Sequence, residues 1–61
     1  MTLYSVWGPN IDDADTVVEG SEQPKFANGE VDKSVPWLHY TLHAASFEKA
    51  VEQFHRKEGH I

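Results

Sequence analysis

Hydrophobic and polar positions in this chain fall into a few short blocks, each with its own period. The clearest is the last. Phe47, Ala50, Val51 and Phe54 recur at i, i+3, i+4 and i+7, which predicts one apolar stripe along a helix of about three turns, Phe47 to Glu58. Ser46 stands where an N-cap is wanted, with a hydroxyl able to accept an orphan amide of the first turn. Glu48 at the start and His55, Arg56 and Lys57 at the end complement the helix dipole. Lys49, Glu52 and Arg56 mark the wet side, and Gly59 is the expected stop.

Upstream the period shortens to two. Trp37 to His43 alternates, with Leu38, Tyr40 and Leu42 on one face and His39, Thr41 and His43 on the other. That predicts a strand whose apolar side packs on the helix. Thr2 to Trp7 is β-branched and aromatic and stops at Gly8-Pro9, so it reads as a strand. Both of its faces are partly apolar, which favours a central place in the sheet. Between these blocks, Phe26-Ala27-Asn28-Gly29-Glu30-Val31 predicts a hairpin with a two-residue type I′ turn at Asn28-Gly29. The implied partners are Ala27 with Glu30, Phe26 with Val31, and Lys25 with Asp32, an apolar pair and an opposite-charge pair. Val35-Pro36 ends that strand, because proline has no amide to donate. Thr16-Val17-Val18 lies between acids and reads as a brief strand or a solvated loop. The sum is one small α+β domain over residues 1–61. It has an antiparallel sheet of three to four short strands, including the Asn28-Gly29 hairpin, with one C-terminal helix packed on one face.

Composition narrows what such a domain does. Sixty-one residues bury only roughly 60% of their unfolded surface, and with no cysteine there are no disulfide staples. Tyr4, Trp7, Phe26, Trp37, Tyr40, Phe47 and Phe54 have to supply the core instead, and a homodimer or a complex is a natural further support. The chain opens on Met1, with no obvious linker at its close, and is expected to be a complete small product. No apolar run approaches a membrane span, and no signal-peptide pattern is present; cytoplasm is the expected location.

Charge adds a direction. The net charge is −5, and all of the excess lies in residues 1–30, where Asp12, Asp13, Asp15, Glu19, Glu22 and Glu30 face Lys25 alone. Residues 31–61 are balanced. Direct nucleic-acid binding needs a basic patch, and the chain has none. A basic protein surface is the expected partner.

Candidate chemistry removes more than it adds. His39 and His43 on a strand lie roughly 13 Å apart, too far for one Zn²⁺ with bonds of about 2.0–2.1 Å. A metal module built from the histidines and loop acids is a minor alternative, and no metal or cofactor is expected. Asn10, Asp12, Asp13 and Asp15 match a calcium loop in composition only. Counting from Asn10 puts Ala14 and Asp15 where an EF-hand needs a ligand and a glycine; counting from Asp13 puts Val17 and Val18 there. Ser5, Ser21, Ser34 and Ser46 lack a nucleophile context, and Gly8 and Gly20 form no phosphate loop. An enzyme is not expected.

The expected contact residues are Asp12, Asp13, Asp15, Glu19, Glu22 and Trp37, the last placed by alternation on the sheet face away from the helix. In size, charge and layout the chain resembles small acidic inhibitors from bacteriophages and mobile elements that act on nucleic-acid-handling enzymes. That resemblance implies a regulatory protein bound to a basic surface of a larger one. The competing expectation is a self-associating, homodimeric accessory protein that pairs through an edge strand or an open sheet face.

Overall fold

The computed structural model describes residues 1–58. Its elements are β1 (Thr2–Gly8), β2 (Thr16–Glu19), β3 (Trp37–Ala44) and α1 (Phe47–Lys57). The sheet order is β2-β1-β3, with β1 antiparallel to both neighbours. This is a small α+β fold with β1 at the centre, where its two apolar faces predicted it. The acid-flanked Thr16–Glu19 segment resolves into a strand. It has a ready ladder in β1, in which Val17 opposes Val6 and Val18 opposes Ser5.

Since β2 and β3 both run against β1, they are parallel to each other. No hairpin can join parallel strands, so residues 20–36 form a crossover. They leave β2 beside Tyr4 and enter β3 beside Gly8. The two faces of β1 are thereby covered by different segments. Tyr4 packs with Ala44 of β3, Ala50 of α1, and partly buried Val17 and Leu42; its ring lies 6.2 Å from that of Phe47. Ser5 and Trp7 alternate to the other face, yet both are buried, and Trp7 Nε1 donates to Ser5 Oγ at 2.8 Å. The crossover is the segment that passes over this side, and within it Pro24 and Val35 are buried.

The chain does reverse at Asn28-Gly29, with a different turn and register from those expected. Of the two residues, only Gly29 has a positive φ (+89°), whereas a type I′ turn needs both. Gly29 N–H donates to the Phe26 carbonyl and Phe26 N–H to the Glu30 carbonyl. The pattern is the three-residue loop with glycine in the left-handed position. Lys25 consequently opposes Val31 rather than Asp32, in one isolated bridge outside the main sheet. Phe26 is left exposed, and Lys25 meets Glu22 at 3.6 Å. The predicted apolar and charged pairs do not form, because the extra loop residue shifts every partner by one.

Straight alternation also fails in β3. Val6 opposes Tyr40, but Trp7 opposes Leu38, so one residue of β3 is unmatched in a bulge. Directly opposed residues share a face. Leu38 therefore joins Trp7's face instead of continuing the Tyr40–Leu42 line, and Trp37 pairs with Gly8. The expected packing of Leu38 on the helix, and of Trp37 on the far face, is corrected by this single inserted residue. That far face is closed around Ser5 and Trp7, which are buried, and open over β3, where Leu38, Thr41 and His43 are exposed.

The helix forms as its caps and stripe require. Ser46 Oγ accepts from Lys49 N–H at 3.3 Å, and Glu58 N–H closes on the Phe54 carbonyl at 3.0 Å. The stop expected at Gly59 lies outside the described residues. Ala50 and Phe54 are buried, Val51 partly so, while Phe47 stays half-exposed at the first turn. Alanine at positions 44 and 50, both without accessible surface, lets helix and sheet approach closely. On the wet side Glu52 pairs with Arg56 at 2.9 Å and with Lys49 at 3.7 Å. Such exposed pairs contribute about 0–1 kcal/mol each.

Tyr40 fastens the helix end to the sheet. Its hydroxyl donates to Glu58 Oε2 at 3.1 Å, and Lys57 Nζ lies 4.7 Å from the ring centroid. Burial first, then the bond to Glu58 and its charge, push the phenol up to about 12. A folded-state value above the unfolded value of about 10 means that the protonated phenol favours the fold below pH 10. That contribution is lost as pH rises from about 10 to about 12. The melting temperature of the wild-type chain is therefore expected to fall more steeply over this window than that of Tyr40→Phe. Parallel melting curves for the two proteins would refute the coupling.

Candidate interaction surface

Loop 9–15 follows Gly8 and opens with a short polar staple. Asn10 Oδ1 accepts from Asp12 N–H (2.8 Å) and Asp13 N–H (3.0 Å), and Asn10 Nδ2 donates to Asp13 Oδ2 at 2.9 Å. An asparagine side chain that mimics a turn in this way fixes the backbone without needing a core. Two further bonds hold the loop to the sheet. Asp15 N–H donates to the Trp7 carbonyl at 3.0 Å, and the His39 ring Nε2 is hydrogen-bonded to the Asn10 carbonyl at 2.9 Å. Gly8 is buried against this loop, where a Cβ would overlap the Asp13 carbonyl.

The carboxylates of Asp12, Asp13 and Asp15 are thus exposed on a tethered backbone. Trp37, 46% exposed, lies at the same end of the sheet, because it pairs with Gly8, the residue from which the loop departs. Ile11 is 64% exposed between Asn10 and Asp12. One end of the molecule therefore presents two large apolar side chains together with three acids.

The other expected contact residues are elsewhere. Glu19 opposes Tyr4 at the far end of β2, four residues or roughly 13 Å from Asp15. Glu22 lies beyond it, beside Lys25. The six residues named from the sequence divide into Asp12, Asp13, Asp15 and Trp37 at one end, and Glu19 and Glu22 at the other. The direction of β2 decides this division, and composition carries no trace of it. Ile11 escaped notice because it is a lone apolar residue among acids. Asn10 carried a usable signal, since an asparagine followed by acids at i+2 and i+3 is an Asx-turn pattern.

For metal chemistry, the described residues contain no grouping of three or more histidines and carboxylates. His39 is engaged by the Asn10 carbonyl, and His60 lies outside the described residues. Trp7 and Trp37 separate as core and surface, with Trp7 only 7% exposed. No described helix is long and apolar enough to cross a membrane. Comparison with protein-family models, with curated proteins and with solved structures finds no match.

Proposed function

We propose that the chain is a small non-enzymatic interaction protein. In this reading it docks Asp12, Asp13, Asp15, Trp37 and Ile11 on a basic surface of a larger protein. The supporting observation is the coincidence, at one sheet end, of a tethered acidic loop with exposed tryptophan and isoleucine. Contacts that bind proteins combine an apolar anchor with a polar rim, and like charges placed on a fixed backbone steer an oppositely charged partner. The excess of acid in residues 1–30 favours a partner that itself handles nucleic acid and so carries cationic surface. This is the mode of action of the phage and mobile-element inhibitors that the chain resembles in charge and layout. Glu19 and Glu22, at the opposite end, lie beyond a screening length of roughly 8–10 Å and take no direct part in this contact.

Two triple variants with equal net charge test the reading. One carries Asp12→Asn, Asp13→Asn and Asp15→Asn; the other carries Glu30→Gln, Glu48→Gln and Glu52→Gln. Exposed ion pairs contribute about 0.2–1 kcal/mol each, so loss of the loop acids is expected to weaken retention of a basic host protein about tenfold. Trp37→Ala, which removes an anchor, is expected to cost about 2 kcal/mol or more. The glutamine triple variant is expected to bind like wild type. Equal retention by both triple variants would show that only net charge matters and would defeat the proposal.

A further inference from the structure

The open edge of β3 forms a second surface that does not depend on the acidic loop. Leu3 and Trp7 direct their carbonyls towards the β2 side, accepting from Gly20 N–H at 2.8 Å and from Asp15 N–H at 3.0 Å. Peptide groups alternate sides along a strand, so it is Thr2, Tyr4 and Val6 that bond across to β3. Their partners are Ala44, Leu42 and Tyr40. The peptide groups of Thr41 and His43, which oppose Ser5 and Leu3, must then point away from β1, along the outer rim of the sheet.

Such an edge is normally blunted by charge, proline or brevity. The other edge follows that rule: β2 is four residues long with Asp15 and Glu19 at its ends. β3 is twice as long and has no lysine, arginine, acid or proline within it. Its bulge disturbs the Trp37 end and leaves Tyr40–Ala44 in regular register. Gln53 Nε2 reaches the His43 carbonyl from the helix at 3.4 Å, a length at which the bond is weak and readily exchanged.

An open groove of about 420 Å³ runs along this edge, lined by Tyr40, Thr41, Leu42, Gln53, Arg56 and Lys57. The charged residues of its lining are Arg56 and Lys57, while Glu58 and Glu52 stand at its margin on Tyr40 and Arg56. Arg56 spends one nitrogen on Glu52 and, with five donors in all, keeps others free for a second carboxylate. Lys57 is positioned over the Tyr40 ring. We propose that this edge receives an extended acidic segment of a partner protein. The segment would add as a strand on Thr41 and His43 and direct a carboxylate side chain to Arg56 and Lys57. Strand addition of this kind takes affinity from main-chain hydrogen bonds and selectivity from alternate side chains. The net charge of −5 does not oppose it, because the excess acid belongs to residues 1–30 and fields decay within roughly 8–10 Å in physiological salt. Charge also selects against a second copy as occupant. Antiparallel β3–β3 pairing would bring two Arg56–Lys57 pairs to one seam.

A display library of random dodecapeptides, panned on the immobilised full chain, tests this directly. Expected winners are β-branched sequences with Asp or Glu, and with one of them bound the Thr41 and His43 amides should be protected from hydrogen exchange. The Arg56→Glu/Lys57→Glu variant, its fold checked by circular dichroism, should lose at least tenfold in binding. The Asp12→Asn/Asp13→Asn/Asp15→Asn variant should bind the same peptides no more weakly than wild type, so this result stands or falls separately from the acidic-loop proposal. Three outcomes would overturn it: no enrichment, winners without acids, or equal binding by the charge-reversed variant. Protection of Thr41 that grows with protein concentration in the absence of peptide would also overturn it, by assigning the edge to a homodimer.

Discussion

Tyr4→Ala is expected to leave the chain largely unfolded at 25 °C. Tyr4 is 4% exposed on the central strand and joins the elements that make the core: Ala44 of β3, Ala50 of α1, Val17 of β2, and the ring of Phe47. Truncating a buried aromatic costs about 3–5 kcal/mol. Stability of about 0.05–0.15 kcal/mol per residue gives a domain of this length roughly 3–9 kcal/mol in total. The loss thus approaches the whole. Urea titration followed by tryptophan fluorescence, to which buried Trp7 and exposed Trp37 both contribute, checks it. A midpoint near that of wild type would mean that the core is centred elsewhere, on the Trp7 face.

Gly8→Ala is expected to keep the sheet and helix but displace the acidic loop. Gly8 does not have a positive φ, so its backbone suits any residue, and the obstacle is steric. The new Cβ would overlap the Asp13 carbonyl oxygen, lie 2.7 Å from the carbonyl carbon, and sit 3.0 Å from His39 Nε2. Backbone atoms cannot step aside as a flexible side chain can. Overpacking of this kind costs about 1–3 kcal/mol, and the least costly relief is to release the His39–Asn10 bond and move residues 10–13 outward. Amide shifts of Asp12, Asp13 and Asp15 should change while those of Ala50–Phe54 remain. Partner retention should fall with the loop acids still present, which separates the loop's geometry from its charge. Unmoved loop amides would contradict the packing described for Gly8.

What could be read from sequence follows from which interactions are local. The helix was legible because Ser46, the Phe47–Phe54 stripe and the basic last turn act within a few residues of one another. The central place of β1 was legible because both faces of Leu3–Trp7 carry apolar groups. β2 was ambiguous, since its acids are costly only if buried, and a strand at the edge keeps Glu19 exposed. The β3 bulge left no mark in the pattern, as one unmatched residue near His39 changes the face of Leu38 without changing composition. The Asn28-Gly29 turn was located correctly, but its type depends on the φ of Asn28, which a two-residue signature does not determine. At the candidate surface, the separate acids and Trp37 were visible, while their grouping was not. It depends on the pairing of Trp37 with Gly8 and on the course of β2 away from Asp15, both long-range facts.

The central claim is that the sheet end bearing Asp12, Asp13, Asp15 and Trp37 touches the partner. The most direct measurement is site-specific photo-crosslinking in host cells, with a photoreactive aryl residue at position 11, 37, 22 or 48 in turn. Adducts of one shared mass are expected from positions 11 and 37. They should be strongly reduced when Asp12, Asp13 and Asp15 are all asparagine, and absent from positions 22 and 48. Adducts from position 48 or 22, with none from 11 and 37, would contradict the assignment and move the contact to the helix or the opposite end of the sheet.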